Sequence, residues 1–434
     1  MKLSLFSTLW GYRKEYLPKD IFSGIIIAAV SIPISMGYAQ ISGIPAVYGL
    51  YGSVFPILLF ALFSTSRQFI FGVDAAPAAI VGGALSTLGI AAESEAAMYY
   101  VPAIALFAGL WLFIFFLLHA DKIVDFISTP VMGGFISGIA VTIILMQIPK
   151  LMGSPAGSGE LLELAKHIFA AAKNISWLSL FMGLGALILI RLFKKLAPKF
   201  PMAIVIMALG VFSTVVFHVD EKGVVLLQSV ERGLPSLVIP DFGNIDFTQA
   251  AGRGLMVAVV IMAETLLAEN TFAFRNDYKL NDRQEILACA AGNIAAAAVG
   301  CCPVNGSISR TSLNEQYGGK SQAVSITAGI TMAVILLFFT GFIGYLPVPV
   351  LTAIVISALM DVVETHLAVR LFKVKPYRIL HLHGCRFQCA LSWNHLRCYH
   401  WYPALFRSCD PEGHQPAALL PWYDPGKRCL FVSV

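Results

Sequence analysis

Charged residues are scarce in this chain. Only 13% of its 434 residues are Asp, Glu, Lys or Arg, and 57% are hydrophobic. Soluble domains carry about 25% charged residues. The composition therefore excludes an ordinary soluble domain and predicts a polytopic membrane protein. The net charge of +5 does not indicate nucleic-acid binding, because the basic residues lie in short loops, where they set membrane topology.

Cysteines are few before Arg378, and we expect no cleavable leader. Before Arg378 the chain has only Cys289, Cys301 and Cys302, and their apolar surroundings favour packing over a redox pair. The first twenty residues, MKLSLFSTLWGYRKEYLPKD, are too polar for a signal peptide. We therefore expect the first membrane span to direct insertion.

A bilayer-crossing helix needs about 20 apolar residues, and this requirement predicts about twelve spans. They cover residues 21–40, 46–64, 75–91, 99–119, 124–147, 176–193, 201–218, 253–273, 285–300, 307–316, 321–345 and 347–361. The basic clusters before the first span and after the sixth, eighth and twelfth all fall on one side, which predicts a cytoplasmic amino terminus. We expect a bacterial inner membrane. Two external loops remain, about 148–175 and 219–252, and the second resembles short strands and turns.

The third and tenth spans are short, and they follow the irregular segments FGVDAAP and CCPVNGS. They lie seven spans apart, and an odd shift relates two halves of opposite orientation, as in inverted-repeat transporters. The amino ends of these half-helices would meet near the bilayer midplane, where free N–H groups attract an anion. Residues 75–77 and 307–309 would supply those groups, and small side chains there allow a ligand to approach the backbone.

Two ionisable residues lie in this apolar region. Glu264 is within MVAVVIMAETLLAEN, and Arg310 follows the Gly- and Pro-containing segment before the tenth span. An ionisable group at bilayer depth is costly and therefore indicates a functional site. Two other interpretations stay open: Glu264 could be solvated near the membrane surface, and Arg310 could extend to the interface.

Several long motifs, in the same order, resemble those of the SulP anion permeases, a family that includes solute carrier family 26. The resemblance covers residues 16–376. The motifs are DIFSGIIIAAVSIPISMGYAQISGIPAVYGLYGSVFP, TSRQFIFGVDAAPAA, STPVMGGFISGIAV, MAETLLAEN and NDRQEILACAAGNIAAAAVGCCPVNGSISRTSLNEQYGG. The resemblance implies an all-α membrane fold of seven-plus-seven inverted repeats. It also implies fourteen spans in a core and a gate, an anion between two half-helices, and a homodimer in intact members.

The same resemblance implies the site residues. Those that face the substrate would be Ser35, Tyr38, Asp74, Ala75, Ala76, Ser307, Ser309 and Arg310. Glu264 occupies the position of the family's coupling carboxylate. Sodium-coupled bicarbonate members have Asp there and Thr one turn later, whereas this chain has Ala268, so the missing hydroxyl favours a proton over sodium. Asp74 at a helix amino end would repel an anion unless it caps the helix, is neutralised by Arg310 or is protonated.

These residues predict a secondary active transporter of an inorganic anion, foremost sulfate by proton symport. Bicarbonate, chloride or dicarboxylate transport or exchange, a nucleobase permease on the same architecture, and an anion channel stay open as alternatives. An intramembrane enzyme would need an acid–base pair with Glu264. His119 lies at a span end and His366 in a cytoplasmic stretch, so we predict no enzyme and no cofactor.

The chain changes character after Lys375. Residues 377–434 hold five of the eight cysteines and five of the nine histidines, in a spacing that matches no regular zinc template. With suitable codons, Leu391 to Arg407 read one nucleotide later would encode FLGTIYGVIIGILLSFA, an apolar segment similar to the family's last span. We therefore expect a transporter domain at 1–376 and a frameshifted tail at 377–434. The last two spans and the family's STAS domain would then be missing, and transport by this chain would be in doubt.

Overall fold

The computed structural model describes residues 5–10, 12–124, 129–157, 161–197, 200–230, 232–238 and 245–362. The helices are α1 (Leu17–Ile41), α2 (Ala46–Tyr51), α3 (Phe55–Phe63), α4 (Ala75–Thr87), α5 (Glu95–Leu118), α6 (Asp121–Val124), α7 (Thr129–Leu151), α8 (Leu161–Lys173), α9 (Trp177–Leu196), α10 (Met202–Phe217), α11 (Phe247–Arg275), α12 (Asp282–Ala298), α13 (Ile308–Tyr317), α14 (Ala323–Phe338) and α15 (Val348–Val362). The strands are β1 (Phe71–Val73) and β2 (Val304–Gly306).

Every predicted span overlaps helical residues. Five stretches are long and apolar enough to cross a membrane, namely Lys14–Ile41, Ala46–Phe63, Glu95–Leu118, Trp177–Leu196 and Phe247–Arg275. Shorter apolar helices lie at five more predicted spans, including α4 at the third, and the two others correspond to α12 and α13. The second predicted span is divided into α2 and α3. The prediction of a multi-pass, all-α membrane protein is confirmed.

The helices pack in two groups. In the first, α5 contacts α11 and α12, α3 contacts α12, and α1 contacts α14; in the second, α15 contacts α7 and α9. Contacts between α1 and α15 and between α4 and α7 join the groups. Such a division is what a core and a gate would require, and the assignment of those roles stays a prediction.

Small residues bring α1 close to its neighbours, as is typical where lipid tails cannot drive helices together. A Cβ atom on Gly37 would lie 2.3 Å from Cγ2 of Val355 on α15. One on Gly24 would lie 2.7 Å from the carbonyl oxygen of Val324 on α14. The glycines of the first span therefore set how closely α1 packs against α14 of the first group and α15 of the second.

A two-stranded antiparallel sheet connects the half-helices. Phe71 pairs with Gly306, Gly72 with Asn305 and Val73 with Val304. Each strand leads directly into a short helix, β1 into α4 and β2 into α13. Extended backbone inside a membrane protein must satisfy its N–H and C=O groups internally, and the two strands do so by pairing with each other. The paired strand–helix units are oppositely directed, as an inverted repeat requires.

The predicted external loops differ from expectation. Helix α8 lies within the loop at 148–175, with Leu164 and Ala171 buried. The prediction of short strands at 219–252 is wrong for the described part of that loop, which contributes an isolated bridge between Leu226 and Pro347. The regular strands lie instead before the half-helices, because there the backbone has no water to bind.

One glycine is predicted to control the position of α2. A Cβ atom on Gly49 would lie 2.0 Å from the carbonyl oxygen of Ser35, so Gly49→Ala should force α2 away from α1. Overpacking of this kind costs about 1–3 kcal/mol, which should lower the thermal unfolding midpoint of the purified protein. Gly185→Ala on α9 is the matched control, because nothing lies within 4 Å of its Cβ position. Equal midpoints for the two variants would contradict this packing.

Candidate functional site

The amino end of α4 is capped by Asp74. Its carboxylate accepts a hydrogen bond of 2.8 Å from the backbone N–H of Ala75. The Ala78 N–H binds the Asp74 carbonyl, and Pro77 has no N–H, which leaves Ala76 as the donor of this turn that can reach a ligand. The capping interpretation of Asp74 is confirmed. Because of it, α4 offers an anion fewer backbone donors than a helix end normally would.

The amino end of α13 is more open. Ser307 occupies the N-cap position without a side-chain cap bond, and its carbonyl accepts from the Thr311 N–H at 3.0 Å. The N–H groups of Ile308, Ser309 and Arg310 therefore have no intrahelical acceptor. The hydroxyls of Ser307 and Ser309 lie 3.3 Å apart beside them. Most of the donors that could bind an anion thus belong to α13.

A cavity of about 20 Å³ lies between the two helix ends. Its wall contains six of the predicted site residues: Asp74, Ala75, Ala76, Glu264, Ser307 and Ser309. Ile139 and Ala140 of α7 line the same cavity. This volume holds about one or two water molecules. A larger oxyanion would fit only if α7 moved away from the half-helices.

Glu264 is buried in the wall of this cavity, with 7% of its surface exposed. Its carboxylate accepts a hydrogen bond of 2.6 Å from the side-chain amide of Asn305. The side-chain Oδ1 of Asn305 accepts in turn from the Thr265 hydroxyl, also at 2.6 Å. This burial excludes the interpretation of Glu264 as a residue solvated at the membrane surface. The hydrogen bonds connect the carboxylate to β2 and hence to α13.

Asn305 was missed in the sequence analysis. The signal was available, because it is a strongly polar side chain inside the apolar segment CCPVNGS. A buried amide needs partners for both of its ends, and a carboxylate on a neighbouring span can supply the acceptor. Its position two residues before Ser307 makes it the link between Glu264 and the anion-binding end of α13.

Arg310 does not line the cavity. Its side chain is 1% exposed, and one guanidinium nitrogen donates to the Val73 carbonyl at 2.8 Å. A Cβ atom on Gly72 would lie 2.7 Å from another guanidinium nitrogen, so glycine at this position gives Arg310 its place. The charge lies within electrostatic range of Asp74 and Tyr38. The interpretation of Arg310 as an interfacial residue is excluded, and its charge lies behind the carboxylate that caps α4.

The two predicted residues of α1 lie outside the cavity wall. Ser35 accepts a hydrogen bond of 2.9 Å from Ser53, which joins α1 to the chain beyond α2. Tyr38 is 2% exposed and lies within electrostatic range of Asp74, Arg310 and Glu264. The structure therefore places Tyr38 beside the site and directs Ser35 toward Ser53.

Residues 17–382 match the model of the sulfate permease family. The chain belongs to this family. A probable sulfate transporter of Mycobacterium tuberculosis is 26% identical over 355 residues, covering 81% of this chain and 63% of the relative. The chloroplastic sulfate transporter 4.1 of Arabidopsis thaliana is 30% identical over 376 residues, covering 84% of this chain and 54% of the relative. The chain thus matches less than two thirds of the length of either relative.

Solved structures show the same fold. The structure of SLC26A9 superposes with a TM-score of 0.81 at 18% identity, covering 92% of this chain and 66% of that chain. The transmembrane domain of BicA, a cyanobacterium bicarbonate transporter, superposes with a TM-score of 0.79 at 20% identity, covering 88% and 97%. The predicted inverted-repeat anion-transporter fold is confirmed. The family and these relatives are transporters, so the prediction of a non-enzyme is also confirmed.

The predicted tail, 377–434, lies outside the described residues. The family match reaches residue 382, just beyond the predicted change of character at Lys375. The frameshift and the missing last two spans stay predictions.

Proposed function

We propose that this sulfate permease family member carries out secondary active transport of an inorganic anion, specifically sulfate symport with protons. One observation carries the proposal: a single small cavity brings together the amino ends of α4 and α13 and the buried carboxyl group of Glu264. The relatives named as sulfate transporters support sulfate as the substrate.

Backbone donors of α13 would form most of the anion site. A dehydrated oxyanion needs hydrogen bonds to each oxygen, and bonds to charged acceptors are the strong ones. The N–H groups of Ile308 and Ser309, which have no intrahelical acceptor, supply them together with the N–H of Ala76 opposite. The Ser307 and Ser309 hydroxyls add two hydrogen-bond donors that can rotate toward the anion. The helix dipoles of α4 and α13 add positive potential at the same point.

Glu264 would couple the anion to a proton through charge. Asp74 and Glu264 both line the cavity, so a divalent anion would meet two carboxylates at close range. Like charges in a poorly solvated site repel strongly. A proton on Glu264 removes one of these repulsions, so sulfate and a proton would enter the site together. A sodium ion has less support, because Ala268, one turn along α11, offers no side-chain oxygen ligand.

A second candidate is bicarbonate transport. The two carboxylates in the wall of the cavity favour a monovalent anion over sulfate. The fold of the cyanobacterial bicarbonate transporter supports this alternative.

The purified full chain in proteoliposomes can distinguish these functions. We expect labelled sulfate to accumulate when the interior is made alkaline, with saturation as external sulfate rises. Protein-free liposomes are the control. Parallel assays use labelled bicarbonate, chloride, a dicarboxylate and a nucleobase, each with and without sodium. Uptake of bicarbonate but not sulfate would establish the second candidate, and uptake of none of the four anions would refute anion transport by this chain.

The arrangement around the site is proposed as well. We infer a cytoplasmic amino terminus in a bacterial inner membrane, a transporter domain at 1–376 divided into a core and a gate, and a homodimer in the intact protein. We also infer that residues 377–434 arose by a frameshift. Resequencing the gene tests this last point, because codons near Leu391 whose shifted frame encodes no apolar segment would refute it.

A further inference from the structure

Two buried glutamates take no part in the anion site. Glu269 lies on α11 and Glu285 in the first turn of α12, and both side chains are 0% exposed. Their carboxyl groups lie within hydrogen-bonding reach of each other. Glu269 follows Glu264 by five residues, which is about 7.5 Å along the helix toward the predicted cytoplasmic end. The pair is therefore separate from the anion cavity.

The two carboxyl groups have unequal partners. Glu285 accepts from the Ser64 hydroxyl at 2.7 Å, from the Thr65 N–H at 2.6 Å and from the Thr65 hydroxyl. Within the described residues, no donor reaches either oxygen of Glu269. Three hydrogen-bond donors stabilise a buried carboxylate, so Glu285 can remain negatively charged. Glu269 has nothing that would stabilise one.

The surrounding groups do not neutralise a second charge. Asp282 is acidic, and the Cys289 thiol of α12 is a neutral group beside both glutamates. Burial raises the pKa of Tyr278, in the loop between α11 and α12, to about 12, so its hydroxyl stays neutral. None of the ion pairs found in the described ranges includes either glutamate, and Arg275 pairs with Glu315 instead. A proton on Glu269 would remove one charge and supply the donor that the pair lacks.

We propose that Glu269 and Glu285 form a second proton-binding site, in which the protonated carboxyl group of Glu269 donates a hydrogen bond to the Glu285 carboxylate and joins α11 to α12. Loss of this proton would leave two buried carboxylates in contact, which repel each other. The bridge would also connect α3 to the same point, because Ser64 and Thr65 follow that helix. Alkaline pH on the predicted cytoplasmic side would therefore loosen the ends of α11 and α12. This site is independent of the proposed role of Glu264.

Stability measured against pH tests the site in the purified full chain. A folded state that holds one more proton than the unfolded state loses stability as pH rises, and the unfolding constant grows up to tenfold per pH unit. We expect Glu269→Gln to reduce the slope of the logarithm of the unfolding constant against pH by up to one between about pH 6 and 9. The amide keeps a donor toward Glu285 but cannot titrate. Glu95→Gln changes an exposed carboxylate at the start of α5 and should keep the wild-type slope. Equal slopes in wild type and Glu269→Gln would overturn the proposal.

Two further measurements distinguish a bound proton from a bound metal cation. Infrared spectra at pH 7 should show the carbonyl stretch of a protonated carboxyl group in the Glu264→Gln variant, where Glu264 cannot contribute, and Glu269→Gln should remove that component. Absence of the band from Glu264→Gln overturns the proposal even if Glu269→Gln does not fold. Stability at pH 9 is also titrated with sodium chloride against choline chloride. Saturable stabilisation by sodium that Glu269→Gln abolishes would show a cation site in place of a proton site.

Discussion

Replacing Glu264 with glutamine is expected to abolish sulfate uptake driven by a pH gradient. Glutamine keeps the size of the side chain and can still bind the Asn305 side chain, which donates to Glu264 at 2.6 Å in the wild type. It cannot bind or release a proton. The charge of the site would therefore no longer change between the outward-facing and inward-facing states. The measurement is accumulation of labelled sulfate in proteoliposomes with an imposed pH gradient.

The same preparation provides the control for that experiment. Exchange of internal for external sulfate moves no net protons, so Glu264→Gln should retain it. Loss of exchange together with driven uptake would indicate a damaged site and not a loss of coupling. Full pH-driven uptake by the variant, or strict dependence of wild-type uptake on sodium, would contradict the assignment of Glu264.

Helix positions and half-helix ends could be predicted from the sequence because the bilayer imposes simple rules. Long apolar runs must be helical there, and a short run after an irregular segment must end inside the protein. Those rules located α4 and α13, and they placed Ala76 and Ser309 at one cavity. They depend on composition and length, which are read directly from the chain.

The pairing of β1 with β2 could not be predicted in the same way. Strands of three residues are too short to show an alternating pattern, and their pairing joins segments more than 200 residues apart. The orientation of Arg310 depends on this pairing, because its guanidinium occupies space that Gly72 leaves on β1. The direction of Ser35 depends likewise on how closely α2 packs against α1. Such features arise from tertiary packing and are absent from local patterns.

The proximity of Glu269 to Glu285 shows the same limit. Glu285, near the polar start of its helix, would ordinarily be read as solvated, and Glu269 lies less than two turns from the end of its own. Both are buried in the folded chain, and packing of α3 over α12 brings Ser64 and Thr65 to Glu285 only. The unequal supply of donors, which decides where a proton is held, is a property of the assembled helices.

Replacing Arg310 with alanine is expected to weaken anion binding strongly. The guanidinium is the buried positive charge that acts on Asp74, and Asp74 lines the anion cavity. Without it, the carboxylate would repel the anion, and the Val73 carbonyl would lose its hydrogen-bond donor. Loss of a charged hydrogen-bonding partner costs about 1.5–3 kcal/mol, roughly tenfold to over a hundredfold in affinity. Calorimetric titration of the purified variant with sulfate measures this change.

A double substitution separates charge compensation from a general loss of structure. If Arg310 acts by compensating Asp74, then Asp74→Asn should restore part of the affinity lost in Arg310→Ala, because contacting residues show coupling. Arg275→Ala is the matched control, since it removes an arginine that is paired with Glu315 away from the cavity. Wild-type affinity in Arg310→Ala would refute the predicted role of this residue. A double variant that binds no better than Arg310→Ala would mean that Arg310 acts on the anion itself or by holding β1, and not through Asp74.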